Sequence, residues 1–403
     1  MSTQLTAANT ADESAVSNPA QRLGRRYCFA DSDMDLFFMA ALGWGPSGGL
    51  DAGQIFYVAD QIKDGDGDSW VHAFTEYGER LDAEADGWLA RGHRRNTGET
   101  RLKAFAAYRS AWQFAGPGER FAALIGRQRA AFGKALPELG ITAQFFDVPY
   151  AAKQLPGVFL PATDPAAPIA LIIGGADTSF EDLFLTLGRS LLDRGYAVAL
   201  ADLPGQGLTQ ADGLHWEAEA EKPISAVIDV LVDRFEGKPG RIALIGLSLG
   251  GYFVARAAGY ETRLATVIAS TPFPDPAQLF ALSVQAALRD AAAQATPAAQ
   301  RSRAVTFWKA GATTAEQFID RTRNMVADPK RVTLPFLSIL GAGDSPVFAS
   351  QAEAWHRDIL STCKSFVRLD AASGADGHVQ VNNRLRLAQE CGAWMDEVFG
   401  RMA

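Results

Sequence analysis

The sequence predicts an α/β fold built on a mostly parallel, doubly wound sheet. Short apolar runs of strand length alternate with amphipathic helical stretches from Ile169 onward, which is how parallel strands joined by crossover helices read. One of these runs, Ile242 to Ile245, leads through Gly246-Leu247-Ser248-Leu249-Gly250-Gly251 into a helix-forming stretch, Tyr252 to Ala258. The chain before about Gly140 has the period of helices instead, so a helical region precedes the sheet.

In chain order, residues 1–24 are polar and lack the apolar core of a signal peptide, so a disordered tail is expected there. Residues 25–140 are assigned to an N-terminal helical domain. Asp51 is placed to cap a helix through Ile55, Val58 and Ile62. Trp70, Phe74, Tyr77 and Leu81 recur every three to four residues, continued by Ala85, Trp88 and Leu89. Leu102, Phe105, Arg109 and Trp112 mark a further helix, and Phe121 to Leu136 another. These aromatic stripes suit core packing better than a pocket lining. Asp64-Gly65-Asp66-Gly67-Asp68 resembles the opening of a calcium loop. Ser69 and Thr75, however, occupy the positions of the required glycine and bidentate glutamate, so a helix cap at Asp68 or Ser69 is expected and no calcium.

At Ile141 the period changes, opening a core assigned to residues 141–403. Thr142 to Val148 and Leu155 to Leu160 are expected strands joined by a turn. Ile169 to Ile173, Tyr196 to Ala201, Ile242 to Ile245, Leu264 to Ala269, Phe336 to Leu340 and Phe366 to Leu369 are the following ones. Helices are expected over Phe180 to Asp193, Ile224 to Phe235 and Arg384 to Phe399. The stretch between Ser270 and Phe336 is too long for a simple crossover. It reads as a helical lid over about 274–332, with helices at Ala277 to Ala295 and from Thr313 with Glu316.

A strand, a tight turn and a helix with Ser248 at the apex push a hydroxyl clear of the sheet. They also leave the Leu249 N–H at a helix N-terminus, free for a developing oxyanion. A serine needs a base. Of the five histidines, only His356 and His378 follow Ser248. His356 falls in a helical stretch and His378 in the loop Ala372 to His378, so His378 is the candidate base. Asp344, directly after the strand Phe336 to Leu340, is the candidate acid, with Asp275 and Asp376 as rivals. Gly174-Gly175-Ala176 follows the strand Ile169 to Ile173, and the Ala176 N–H is the expected second oxyanion donor.

Composition limits the partners. A net charge of −8 argues against nucleic acid and anionic membranes, which leaves a small-molecule substrate. No stretch has the length of a transmembrane helix. Cys28, Cys363 and Cys391 lack metal-ligand spacing and read as reduced thiols, so the cytoplasm is the expected location and no metal or other cofactor is expected.

The contexts of Ser248, Asp344 and His378 resemble an α/β-hydrolase. IIGGADTSFEDLF, DLPGQG, GLSLGG and GADGHVQVNN, with the aromatic helical region before them, are similar to one subgroup. It contains 2,6-dihydroxypseudooxynicotine hydrolase, the fermentation-respiration switch proteins and fungal hydrolases that shorten polyketide chains. The resemblance implies a Ser-His-Asp hydrolase cleaving a carbon–carbon bond next to a ketone in a polyketide-like or aromatic substrate. The apolar helical layers, with Trp70, Trp88 and Trp112 before the sheet and Phe280, Phe307, Trp308 and Phe318 in the lid, must bury their faces, so the helical region is expected to help close the site and a homodimer contact through it is a further expectation. A glutamate outside the triad assists in the nicotine-pathway member; Glu138 and Asp147 do not align with it. Two alternatives stay open: a carboxylesterase or lactonase acting on a bulky ester, which needs the same triad, and a non-catalytic binding or regulatory protein with the hydrolase fold.

Overall fold

The computed structural model describes residues 19–289 and 295–400. Five helices come first among these: α1 (Ser32–Gly43), α2 (Ala52–Ala59), α3 (Gly67–Ala90), α4 (Arg94–Trp112) and α5 (Glu119–Glu138). Asp51 opens α2 in a capping box with Gln54. The cap of α3 is Asp66, whose carboxylate accepts from the Asp68 and Ser69 N–H groups, two residues earlier than the sequence suggested. The other two acids of that loop are engaged as well. Asp64 accepts from the Ala30 and Asp31 N–H groups at 3.0 Å each, and Asp68 pairs with Arg120 and Arg301. The aromatic stripe of α3 is buried through Trp70, Phe74, Leu81 and Ala85. It ends before Leu89, which is 45% exposed because α3 outruns the layer it packs on.

Eight strands follow in one sheet: β1 (Gln144–Tyr150), β2 (Lys153–Leu160), β3 (Ile169–Ile173), β4 (Ala197–Ala201), β5 (Ile242–Leu247), β6 (Leu264–Ser270), β7 (Phe336–Gly341) and β8 (Lys364–Leu369). Their order is β1-β2-β4-β3-β5-β6-β7-β8, antiparallel at β1-β2 and β2-β4 and parallel from β4 to β8. The central strands β3, β4 and β5 are buried along their whole length, as continuous apolar runs require when both faces are covered. Alternation along each strand divides the core in two. Ala170, Ile172, Ala243 and Ile245 face a layer made by α1, α3, α4, α5 and the last helix, α13 (Arg384–Phe399). Leu171, Ile173 and Leu244 face α7 (Glu221–Phe235) and α8 (Leu249–Ala257). Between β3 and β4 the expected helix winds wide, a π-helical turn at Phe184–Gly188 running into the short α6 (Arg189–Asp193).

The long connection between β6 and β7 holds α9 (Pro276–Arg289), α10 (Pro297–Lys309) and α11 (Ala315–Thr322). The sequence reading anticipated α9 and α11 but no separate α10. Thr296 caps it with Pro297 at its first position, a start signal within a polar stretch of weak periodicity. α12 (Pro346–Asp358) lies between β7 and β8. Among the described residues no helix is long and apolar enough to cross a membrane.

Candidate active site

Ser248 sits between β5 and α8 with φ 57° and ψ −120°, a backbone state that costs a non-glycine residue about 1–3 kcal/mol. The elbow is held from both sides. The Ser248 N–H donates to Ser270 O at 2.7 Å, and Ser248 O accepts from the Gly251 N–H at 2.7 Å. At Gly246 a Cβ would lie 2.2 Å from Gly250 O, so strand and helix can meet at this angle only without a side chain there.

His378 Nε2 lies 2.8 Å from Ser248 Oγ, and His378 Nδ1 lies 2.6 Å from Asp344 Oδ1. Both His378 and the Asp344 side chain are buried. The second Asp344 oxygen accepts from the Thr271 hydroxyl at 2.8 Å, a partner at the end of β6 that the sequence reading did not find. The rival carboxylates are engaged elsewhere. Asp275 accepts from the Gln278 N–H at the start of α9, and Asp376 accepts from the Asn382 side chain. His356 lies on α12 against the Phe366 ring, Glu138 pairs with Arg94 near the end of α5, and Asp147 lies on β1.

Leu249 is the first residue of α8, so its N–H has no partner within the helix. Gly175 lies directly against the serine: a Cβ there would sit 2.7 Å from Ser248 Cβ and 3.2 Å from its Oγ. Three cations from outside the sheet fix this loop. Lys309 of α10 donates to Ala176 O at 2.6 Å, Arg109 of α4 donates to Asp177 O and pairs with Asp182, and Arg129 of α5 pairs with Glu181 at 2.6 Å. Burial pushes Lys309 down to about 8. The sequence reading used Arg109 only as one of the residues marking a helix; its place among apolar residues was the signal that could have found it.

Residues 1–18 of the expected tail lie outside the described residues. Pro19 to Gly24 form no loose tail. The His378 N–H donates to Arg22 O at 2.8 Å, the Ser345 N–H to Gln21 O at 3.0 Å, and Ser345 Oγ to Pro19 O at 2.6 Å, with Leu23 buried. This polar stretch has no periodicity; hydrogen bonds to loops far along the chain order it.

Two cavities reach Ser248 and His378. The larger, ≈ 920 Å³, lies under the inserted helices and is walled by Trp216, Phe273, Phe280, Phe307, Phe318 and Phe348. The smaller, ≈ 70 Å³, lies towards the N-terminal helices and is lined by Phe37, Trp44, Arg109, Asp182 and Arg384 among others. Ala176, Asp177 and Arg22 border both.

The sequence profile of the alpha/beta hydrolase family matches residues 171–397, more than half of the chain. The chain belongs to the alpha/beta hydrolase family. Among curated proteins it is 33% identical over 245 residues to the 20-hydroxy-prefusarin hydrolase FUS2 of Gibberella moniliformis, covering 57% of this chain and 58% of that protein. It is 30% identical over 254 residues to the hydrolyase poxO of Penicillium oxalicum, covering 59% and 60%. These matches span about three fifths of the relatives' lengths. The crystal structure of 2,6-dihydroxy-pseudo-oxynicotine hydrolase superposes with a TM-score of 0.70 over 89% of this chain and 96% of that one, at 20% identity. That likeness speaks for the fold, including the helices that precede the sheet.

Proposed function

We propose that the protein is a serine hydrolase that cleaves a carbon–carbon bond next to a ketone in a bulky polyketide-like or aromatic substrate. The observation that carries this reading is the unbroken line of contacts from Asp344 through His378 to Ser248, at 2.6 and 2.8 Å. His378 takes the proton of Ser248 as Oγ attacks the carbonyl carbon, and Asp344 holds the imidazole and stabilises its cation. The Leu249 and Ala176 N–H groups receive the oxyanion. As the tetrahedral intermediate collapses, the C–C bond breaks and His378 protonates the departing carbon. A water activated by His378 then releases the acyl group as a carboxylic acid. The products are an acid and a ketone.

The size and aromatic walls of the larger cavity favour a bulky acyl group there. The name of the FUS2 relative, a hydrolase of 20-hydroxy-prefusarin, points to substrates of similar bulk. The division into a helical domain over residues 25–140, a core over 141–403 and a lid at about 274–332 belongs to the same proposal, with the lid covering the acyl pocket.

A fluorophosphonate probe tests the reading. We expect labelling of the native chain at Ser248 and none of Ser248→Ala, together with acid and ketone products from an aryl 1,3-diketone. A native, folded chain that neither labels nor turns over ketone or ester would leave only a binding role.

A further inference from the structure

The two cavities beside Ser248 differ in chemistry as well as size, and the smaller one holds a charge without a carboxylate partner. Arg384 is more than nine-tenths buried. Its Nη1 donates to Val379 O at 2.7 Å, and its Nε has no hydrogen-bond partner. Arg384 is also the first residue of α13, where the helix dipole is positive and disfavours a cation. Burial pushes the guanidinium down to about 10, with Asp182 acting against the fall and Arg109 adding to it. Asp182 lines the same chamber, is fully buried, pairs with Arg109 through Oδ2, and leaves Oδ1 unpartnered. A ligand oxygen that gains negative charge could accept from the unpartnered Nε of Arg384. An enolate oxygen has that character.

Building on the serine-hydrolase reading, we infer that the smaller chamber holds the departing fragment of a 1,3-diketone and that Arg384 binds its enolate oxygen. When the bond between the attacked carbonyl carbon and its neighbour breaks, the electron pair passes to the departing carbon and delocalises onto that fragment's ketone oxygen. His378 returns the proton to carbon, and the fragment leaves as a neutral ketone. At ≈ 70 Å³ the chamber has room for a fragment of acetone size, while the acyl group occupies the ≈ 920 Å³ cavity. An ester's leaving group is an alkoxide with no distal oxygen to receive charge. Arg384 therefore selects for carbon–carbon cleavage over ester cleavage.

Two probes sharing a benzoyl group test this: 1-phenylbutane-1,3-dione and methyl benzoate. For Arg384→Gln, which keeps a donor for Val379 O, we expect the ratio of diketone to ester kcat/KM to fall about 100-fold, with Arg384→Lys recovering part of it. Independently, in Ser248→Ala, where no carbon–carbon bond can break, His378 can take the proton of the diketone's central carbon. The enolate of the intact diketone, held through its acetyl oxygen by Arg384, should show its absorption band at neutral pH, and Ser248→Ala/Arg384→Gln should not. Equal losses on both substrates, or the absence of an enolate band in Ser248→Ala, would overturn the assignment. If the serine-hydrolase reading itself were wrong, the native chain would neither label with fluorophosphonate nor turn over methyl benzoate. If only the role of Arg384 were wrong, both would persist with the ratio unchanged.

Discussion

The two sides of Ser248 are built to opposite rules. Towards the inserted helices the walls are rings: Phe307 stacks on Phe318 at 4.8 Å, and Phe280 lies 5.0 Å from Phe318. Such a wall binds by area, tolerates changes of shape and loses little for each contact removed. Towards the N-terminal helices, apolar walls such as Phe37 and Trp44 also carry buried ions, with Arg109 over the Trp112 ring at 4.1 Å and paired with Asp182. Buried charges fix position strictly, because each polar group left unpaired carries a large penalty. In the proposed reaction the ring-walled side would set how large an acyl group fits, and the side carrying buried ions would set the direction in which electrons leave.

The largest effects should come from groups shared by both sides. Ser248→Ala and His378→Ala should each lower kcat by about 10⁵–10⁶, since they act in one proton transfer. Asp344→Asn should lower it by about 10⁴ through the wrong imidazole tautomer. Asp275→Asn, a helix-start variant, should stay within a few fold. Near-normal turnover by Asp344→Asn alongside a collapse in Asp275→Asn would reassign the acid.

A contrast between the two walls should come next. Arg109→Met leaves Asp182 buried without its cation and should destabilise the fold by about 3–5 kcal/mol, read by urea unfolding. Phe307→Ala should leave urea stability far closer to native and raise KM for a bulky aryl substrate about tenfold, with kcat little changed. Equal stability losses in the two variants would erase the distinction.

Gly175→Ala probes the seam between the cavities. The new Cβ would crowd Ser248 and shift the Ala176 N–H, so kcat should fall about 100-fold, the scale of one lost oxyanion donor. Circular dichroism should remain native. Wild-type kcat in this variant would remove Ala176 from the oxyanion hole.

The smallest effect is in pH. Folded Lys309 is pushed down to about 8 by burial, below its ordinary value of 10.5, so between these values the unfolded chain binds the extra proton. Stability contributed by Lys309 therefore rises with pH across that window, and its burial is most costly below pH 8. The Tm advantage of Lys309→Met over the native chain should shrink as pH rises from 8 to 10. A pH-independent difference would show that Lys309 is not held in the buried state described here.

Features set by local patterns were legible from sequence. The elbow at Ser248, the buried runs of β3 and β5 and the span of α13 announce themselves through spacing, apolar continuity and glycine placement. The Asp344–His378 pair came from position relative to strands. Features that depend on distant partners were not legible. Thr271, Lys309 and the segment Pro19–Leu23 make their contacts across the fold, and nothing beside them in the chain marks this. Arg384 offered a weak clue as a cation at the wrong end of a helix, and α10 was hidden by its polar composition.

The segment Pro19–Leu23 links Ser345 and His378 to a part of the chain translated long before them; the contact between Ser345 and Pro19 spans 326 positions. Contacts of such separation close late, because the entropy of a long loop must be overcome before they form. During synthesis the elbow serine is made and folded around well before its histidine leaves the ribosome. The early segment must wait for the loops of Ser345 and His378 before it can dock. The site should therefore be completed only after the loops of Ser345 and His378 have emerged, with the segment Pro19–Leu23 seated last.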